Sequence, residues 1–300
     1  MTICAALGDF MSVSPLDNLL KLLKVTPVES DVFVGHAQDL GFGQLFGGHV
    51  LAQSLMAAAQ TVESDRLCHS LHGYFLRLGR TNEPIHYEVD RVRSGQSFST
   101  RLVVAKQGGV AIFSMSASFQ RLEPGFSHQD SMPQNVKGPD GLLSELERVR
   151  SVKEKIPEKA RDALTADRAI EIRVADPVDY FSPEQRPAIK NSWFRTLGSV
   201  QDPDPYLHQA VLAYASDFGL ASTAGMPHGF TFFKPGIQIA SLDHSLWFHR
   251  AVDLDGWMLY AKDSPSAAGA RGFNRGQIFS HDGQLMASVA QESLIRVAKK

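Results

Sequence analysis

The sequence has few cysteines, little net charge and no long apolar run, and each shortage excludes a class of protein. Among its 300 residues only Cys4 and Cys68 are cysteines, which excludes a disulfide-bonded scaffold and fits a reducing compartment. The formal net charge of -2 gives no electrostatic basis for binding nucleic acid or an anionic membrane. No apolar run could span a bilayer, and residues 1–7 lack the basic start and apolar core of a signal peptide. The composition predicts a globular protein of the cytoplasm.

Several catalytic signatures are also missing. No Gly-x-Ser-x-Gly motif occurs, which argues against a serine esterase of the α/β-hydrolase type. Cys68, His69 and His72 lack a fourth partner, and the two histidines would lie on opposite faces of a strand, so no metal site is predicted. The glycines of segment 41–47 are wrongly spaced for a dinucleotide loop. The sequence therefore predicts neither a metal nor a redox cofactor.

What the chain does contain is one structural unit written twice. Each copy begins with an apolar helix, and a run of strands separated by turn residues follows it. The first copy has the helix 50–59 and strands 70–78, 85–93, 97–106 and 110–121. The second has the helix 207–221 and strands 238–250, 257–262, 270–280 and 285–296. Because a helix that is apolar all round needs a curved sheet to cover it, we expect an α+β fold with two helix-wrapped-by-antiparallel-sheet units.

The composition also sets the expected boundaries. An N-terminal unit is predicted over 1–125 and a C-terminal unit over 166–300. Between them, 126–165 starts as a polar, proline-containing stretch and continues as an amphipathic helix. The apolar positions of that helix are Leu142, Leu143, Leu146, Val149, Val152 and Ile156. Its regular stripe predicts an ordered connector that packs on the outside, rather than a disordered linker.

Asp217 is the residue that points most clearly to chemistry. It lies near the end of the helix 207–221, which Asp204 can cap, and most of its neighbours are small or apolar. A carboxylate in such surroundings is costly to keep charged unless something hydrogen-bonds it. Ser241 and Gln291 follow as possible partners, and an acid, a hydroxyl and an amide can together hold a water molecule. The alternative from sequence alone is that Asp217 is a polar residue at an exposed helix end.

Two other motifs allow more than one interpretation. Strict alternation along the strand 238–250 would place Ser241, Asp243 and Ser245 on one face, so spacing cannot choose among them. His244 would face the other way, which favours a structural role for it. Glycines 47 and 48 at a helix start offer unpaired N–H groups and room for close approach, either for a substrate oxygen or for a tight turn.

Five short motifs resemble the acyl-CoA thioesterase II family. They are Phe46-Gly47-Gly48-His49-Val50, Leu71-His72-Gly73-Tyr74-Phe75-Leu76-Arg77, Tyr214-Ala215-Ser216-Asp217, Asp243-His244-Ser245-Leu246-Trp247-Phe248-His249-Arg250 and Ala270-Arg271-Gly272. The resemblance extends over 31–296. It implies a double hotdog fold, with two helix-in-sheet units in one chain, and hydrolysis of acyl-CoA to free fatty acid and CoA.

The resemblance also implies which residues act. Asp217, Ser241 and Gln291 match the positions that carry the chemistry in the family, and all three lie in the C-terminal unit. Gly47, Gly48 and His49 are expected to bind substrate; the family often has Gln at the third of these positions. Arg271 and Arg275 flank Gly272 near the proposed chemistry, and we expect them to meet the CoA phosphates.

We expect Asp217 to take a proton from water, which attacks the thioester carbonyl while N–H groups at a helix start stabilise the oxyanion. Asp217 as a nucleophile that forms a mixed anhydride is an alternative. Two other functions compete: an enoyl-CoA hydratase of the hotdog fold, which would want an Asp and a His together at the helix, and a non-catalytic acyl-CoA-binding protein. The sequence does not predict acyl chain length.

The resemblance further implies a homodimer or higher homo-oligomer. A curved sheet packed on one helix covers only its inner face. Its outer face, where Val103, Ala105 and Phe113 or their alternates must point, would carry apolar side chains that need burial.

Overall fold

One antiparallel sheet runs through both halves of the chain in the computed structural model, which describes residues 13–41 and 43–297. The interpretations of Cys4 and of residues 1–7 lie outside these ranges. The first half contains α1 (Pro15–Leu23), β1 (Thr26–Glu29), β2 (Val32–Gly35), α2 (Gly47–Ala59), β3 (Arg66–Phe75), β4 (Ile85–Ser94), β5 (Phe98–Gln107) and β6 (Val110–Arg121). The middle contains α3 (Glu145–Ser151), a 3-10 helix (Lys153–Lys155) and α4 (Glu158–Thr165). The second half contains β7 (Ile170–Val174), β8 (Ile189–Thr196), α5 (Pro205–Ser216), a 3-10 helix (Thr223–His228), β9 (Ile237–Ser241), β10 (Asp243–Phe248), β11 (Met258–Ala268), β12 (Arg271–Ser280) and β13 (Leu285–Val297).

The internal repeat also includes two strands that precede the long helix in each half, of which the sequence predicts only the one at 31–35. These are β1 and β2 before α2, and β7 and β8 before α5. The strand order is β1-β2-β4-β5-β6-β3-β10-β13-β12-β11-β8-β7, and β9 also pairs with β13. The two halves therefore run in mirrored order and meet where β3 pairs with β10, with Leu71 opposite Leu246. The result is one continuous sheet.

The two long helices, α2 and α5, pack against each other and are buried along almost their whole length. The predicted start of α5 is confirmed: the Asp204 side chain accepts a hydrogen bond from the Tyr206 N–H, and Pro205 occupies the first turn. The end is different, since α5 stops at Ser216 and does not run on to 221. Helix α2 has Phe46 at its N-cap and no capping side chain, so its first N–H groups remain available to other partners.

The connector contains shorter helices than the sequence predicts. One amphipathic helix is expected from Leu142 to Ile156, but α3 ends at Ser151 and is followed by a 3-10 turn. Pro157 then separates this segment from α4, because a proline disfavours helical backbone geometry at the residue before it. At its start α3 has a capping box formed by Ser144 and Glu147. The unit boundaries near 125 and 165 stay a prediction.

The outer face of the sheet carries the alternates of Val103, Ala105 and Phe113. Val103, Ala105 and Phe113 are fully buried on the helix side, so only their alternates face outward. Among these, Leu102 is 40% exposed. Association into homo-oligomers stays a prediction. Among residues 13–41 and 43–297, no helix is long and apolar enough to cross a membrane.

Candidate active site

Asp217 follows the last residue of α5 and is held there by hydrogen bonds from two other elements. Its Oδ2 accepts from the Gly48 backbone N–H at 2.8 Å, and its Oδ1 accepts from Gln291 Nε2 at 2.7 Å. Only 6% of the Asp217 side chain is exposed, so the alternative of a polar residue at an exposed helix end is wrong. The carboxylate is both buried and hydrogen-bonded, which is the condition for keeping its charge.

The start of α2 forms the other wall of this site. A Cβ atom added at Gly47 would lie 2.6 Å from Asp217 Oδ2, so only glycine permits the carboxylate to come this close to the helix. The positive end of the α2 dipole also favours an anion here. Within the described residues the Gly47 N–H donates no hydrogen bond. One donor of the helix start thus holds Asp217, and its neighbour remains free.

His244 joins Gln291 and α5 in one hydrogen-bonded chain. Gln291 Nε2 lies 3.0 Å from His244 Nδ1, and His244 Nε2 lies 2.9 Å from Ser216 Oγ. The Ser216 hydroxyl donates to the Ala213 carbonyl at 2.8 Å and so accepts from the histidine. This pattern assigns the proton of a neutral His244 to Nε2, with Nδ1 accepting from the amide. Burial lowers the pKa of His244, while the charge of Asp217 acts in the opposite direction.

A second set of contacts fixes the backbone around this chain. The Tyr260 hydroxyl donates to the Ser216 carbonyl at 2.7 Å. Asn274, opposite Gln291 in the β12–β13 ladder, accepts from the Ala224 N–H at 3.0 Å. Both side chains are buried. The positions of Asp217 and Gln291 are thus determined by strands as well as by the helix end.

Ser241 lies on the same face of the sheet as Gln291, for a reason the sequence does not show. Ser241 is opposite Ser293 and Ser245 is opposite Ala290, so four steps along β9–β10 match three steps along β13. The extra residue is a β-bulge, which reverses the faces beyond it. The expectation that Ser241, Asp243 and Ser245 share one face is therefore wrong. Within the described residues the Ser241 hydroxyl makes no hydrogen bond.

His244 is the main site residue that sequence reasoning missed. Alternation correctly turns it away from Asp243 and Ser245, as the burial pattern of β10 confirms. Because Ser245 lies opposite Ala290, the face that His244 occupies is the one that carries Gln291, and the bulge brings Ser241 to the same face. Its nitrogen lies 3.7 Å from Asp217 Oδ1. The available signal was a titratable residue on the buried face of a strand, three residues after the predicted site residue Ser241.

His49 is brought to the helix start, but its side chain packs into the protein. It is 1% exposed and hydrogen-bonds to the His36 carbonyl and the Gln53 side chain. Its Nε2 has no hydrogen-bond partner. Binding of substrate by His49 stays a prediction.

The buried His49 predicts a loss of stability in acid. Burial lowers its pKa to about 4 from the usual 6.5, so between these values the unfolded chain binds a proton that the folded chain does not. The unfolding free energy should therefore fall by ~3 kcal/mol as the pH drops through this interval. Urea unfolding at a series of pH values measures it, and His49→Gln should flatten the dependence, leaving the part due to His244. The same slope in both proteins would contradict this.

Arg271 and Arg275 lie on the outer face of the sheet. Asn274 faces the interior beside Gln291, so its neighbour Arg275 points the other way. Each guanidinium is exposed and paired: Arg271 Nε lies 2.7 Å from Glu292, and Arg275 Nε donates to Asp263 at 3.0 Å. Contact with the CoA phosphates stays a prediction for both. Charge reversal at the two positions should raise the Michaelis constant if that prediction holds.

Among the residues that the structure describes, no group of three or more His, Cys, Asp or Glu side chains is arranged to hold a metal ion.

Comparison with known proteins extends over both halves. Family models described as acyl-CoA thioesterase N-terminal domain and acyl-CoA thioesterase match residues 36–120 and 160–294. Acyl-CoA thioesterase 2 of Haemophilus influenzae is 43% identical over 284 residues, which cover 95% of this chain and 99% of that protein.

The crystal structure of an acyl-CoA thioesterase II from Mycobacterium marinum has a TM-score of 0.76 and 36% identity, covering 94% of this chain and 99% of that one. A hot dog fold protein from Alicyclobacillus acidocaldarius, 16% identical, superimposes with a TM-score of 0.74 over 94% of this chain and 99% of its own. The predicted α+β double hotdog fold is confirmed.

Proposed function

The chain belongs to the acyl-CoA thioesterase family and hydrolyses acyl-CoA thioesters, and from this premise we propose that Asp217 activates the attacking water with the help of Gln291 and Ser241. The observation that carries the proposal is the carboxylate itself, 6% exposed and held by donors from α2 and β13. A general base needs a fixed position and a charge at neutral pH. The two hydrogen bonds supply the fixed position.

In the proposed step, Asp217 takes a proton from water as the water oxygen bonds to the thioester carbonyl carbon. The C–S bond then breaks and CoA leaves as the thiolate, which recovers a proton. A thiolate is a good leaving group, so the reaction needs no strong general acid. The neutral His244 accepts one N–H of the Gln291 amide through Nδ1, and the other N–H is donated to Asp217. The amide then has a fixed orientation toward the base.

Ser241 supports the proposal through its position and its free hydroxyl. Ser241 lies opposite Ser293 in the β9–β13 pairing. Ser293 is two residues from Gln291 on β13, so all three side chains are on one face of the sheet. A hydroxyl can donate one hydrogen bond and accept two. Since the Ser241 hydroxyl has no partner within the described residues, its full capacity is available to a water molecule.

We place the oxyanion at the start of α2. The Gly47 N–H has no partner within the described part of the chain, and the helix dipole adds a positive potential at the same point. Backbone donors of this kind stabilise the charge that develops on a carbonyl oxygen in acyl transfer. The oxyanion donor at Gly47 would then be next to Gly48, whose N–H holds the base Asp217.

Gln291→Ala and Ser241→Ala should each lower the turnover rate, and the double variant should lose less than the product of the two losses. Groups that orient one water act as a unit, so the second removal costs less than the first. Steady-state kinetics of the three variants measure this. Fully multiplicative losses would show that the two residues act on separate steps.

Release of free thiol from a fatty acyl-CoA tests the function directly. Hydrolysis frees one thiol per fatty acid formed, while an enoyl-CoA hydratase or a non-catalytic binding protein frees none. If the wild-type chain binds acyl-CoA but releases no thiol, the proposal fails.

A further inference from the structure

A cavity of 590 Å³ lies beside α5, away from the Asp217 carboxylate. Its walls come from α1, the connector, β7, β8, β11 and the end of α5. Cavities of this size hold small organic ligands. One part of the wall is apolar and consists of Leu19, Leu40, Leu146, Val149, Leu164 and Phe218.

Two lysines lie side by side in the cavity wall, on adjacent strands. Lys262 of β11 pairs with Lys190 of β8 in the antiparallel ladder. Lys262 is only 2% exposed, and Lys190 is partly buried. Like charges opposite each other in a sheet are destabilising, and burial increases the cost. Burial lowers the pKa of both amines, and for Lys262 the charge of Lys190 adds to the effect.

Within the described residues, each of these amines has a single hydrogen-bond partner. Lys262 donates to Ser192 Oγ and lies 4.0 Å above the Tyr260 ring, and Lys190 donates to Ser222 Oγ at 3.2 Å. An ammonium has three N–H donors, so each lysine keeps two without a hydrogen-bond partner. No carboxylate among residues 13–41 and 43–297 lies within ion-pair distance of either amine.

The other charged side chains of the cavity wall are already satisfied. Glu145 accepts from Arg148 and Tyr180, and Glu171 accepts from Arg173 and Arg195. The wall also contains Asp39, Glu147, Asp167 and Arg168, each with its own hydrogen bonds or ion pair. Among the described residues, the two lysines are therefore the side-chain amines of this wall whose N–H groups lack partners, and Glu145 acts on both only from beyond ion-pair distance.

We propose that this cavity binds an aliphatic carboxylic acid, with the carboxylate between Lys190 and Lys262 and the chain against the apolar wall. Two carboxylate oxygens offer about four acceptor positions for the four unpartnered N–H groups. Fatty acid is also what the thioesterase reaction releases, and the choice of ligand rests on that activity. The site itself does not depend on Asp217 being the base.

The cavity is connected to the active site through packed residues. Tyr260, under the Lys262 amine, donates to the Ser216 carbonyl next to Asp217. Phe218, in the cavity wall, stacks on Phe46 with ring centroids 4.5 Å apart, and Phe46 precedes the glycines at the start of α2. A ligand in the cavity would therefore touch the same helix end that positions the base.

Titration calorimetry with dodecanoate tests the site. We expect wild-type protein to bind dodecanoate more tightly than dodecan-1-ol, which has the same chain without the charge. Lys262→Met and Lys190→Met should each weaken dodecanoate binding roughly 10-fold to 100-fold, the range for a lost hydrogen bond to a charged group. Lys106→Met, on the outer face and paired with Glu88, is the matched control and should bind as wild type does.

Thermal unfolding shows whether the variants remain folded. Without ligand, Lys262→Met should melt at or above the wild-type temperature, because it removes an unpaired buried charge. Asp217→Asn should still bind dodecanoate, which separates failure of this site from failure of the catalytic proposal. Equal affinity of wild type and Lys262→Met, or equal affinity for acid and alcohol, would overturn the inference.

Two sources of the carboxylate are separated by kinetics. If it belongs to the far end of the substrate, the CoA monothioester of dodecanedioic acid should have a higher kcat/KM than dodecanoyl-CoA, and Lys262→Met should abolish the difference. If it is free fatty acid, the two substrates should be equivalent, and added dodecanoate should change dodecanoyl-CoA turnover in wild type but not in Lys262→Met. If neither kinetic pattern is seen and dodecanoate binding does not depend on the lysines, the proposed site does not exist.

Discussion

Asp217→Asn is expected to lower thioester hydrolysis by roughly 10²–10⁴-fold, the range for loss of a general base. Both carboxylate oxygens accept hydrogen bonds, from Gly48 and from Gln291. An amide has one acceptor oxygen, so one of these donors would face an N–H group, and stability should fall by about 1–3 kcal/mol. Rates should therefore be measured below the melting temperature of the variant, by free-thiol release.

Asp204→Asn is the matched control for this experiment. Asp204 caps the opposite end of the same helix, where asparagine caps as well as aspartate does. This variant should keep both its stability and its rate. Turnover near the wild-type value in folded Asp217→Asn protein would remove Asp217 from the mechanism.

Gly48→Ala is expected to damage both stability and activity. A Cβ atom at this position would lie 2.5 Å from the Tyr214 carbonyl oxygen and 2.7 Å from the Phe46 ring. The backbone of α5 cannot yield without moving away from α2, so unfolding should become easier by about 1–3 kcal/mol, as in other overpacked interiors. The Gly48 N–H that holds Asp217 would move as well, and turnover should fall. Denaturant unfolding and thiol release measure the two effects.

Gly125→Ala provides the comparison for that variant. No atom lies within 4 Å of a Cβ added at Gly125, so the same chemical change should have almost no effect there. If Gly48→Ala were as stable and as active as Gly125→Ala, the close contact between the two helices would not be needed for the site.

Local signals in the sequence predicted most of the regular structure. Asp204 marks the start of α5, and turn residues separate the strands, as at Asp282-Gly283 between β12 and β13, where Gly283 has a φ of 87°. The strands β7 and β8 were missed for different reasons. The residues of β7, Ile-Glu-Ile-Arg-Val, do alternate between apolar and charged, but a run of five is short. In β8 the polar residues Lys190, Asn191 and Ser192 follow one another, so no alternation marks it as a strand.

The geometry of the site depended on long-range pairing that no local pattern reveals. The bulge between Ser241 and Asp243 exists only relative to β13, so it could not be read from the strand itself. The hydrogen bond from Gly48 to Asp217 joins residues 169 positions apart in sequence. The family resemblance selected Asp217, Ser241 and Gln291, and the structure brings Asp217 and Gln291 into direct contact.

The outward direction of Arg271 and Arg275 has a similar origin. The segment Arg271-Gly272-Phe273-Asn274-Arg275 alternates, but its interior residues are a glycine and an asparagine. Neither is apolar, so hydrophobic periodicity could not tell which face is buried.

The route of the oxygen atom tests the central claim most directly. A single turnover of acyl-CoA with enzyme in excess is run in ¹⁸O-labelled water, and the fatty acid and the peptide containing Asp217 are analysed by mass spectrometry. Direct attack by a water that Asp217 activates places the label in the fatty acid and none in Asp217. Label in the Asp217 carboxylate would instead show that this residue had formed an acyl anhydride, and that it acts as a nucleophile.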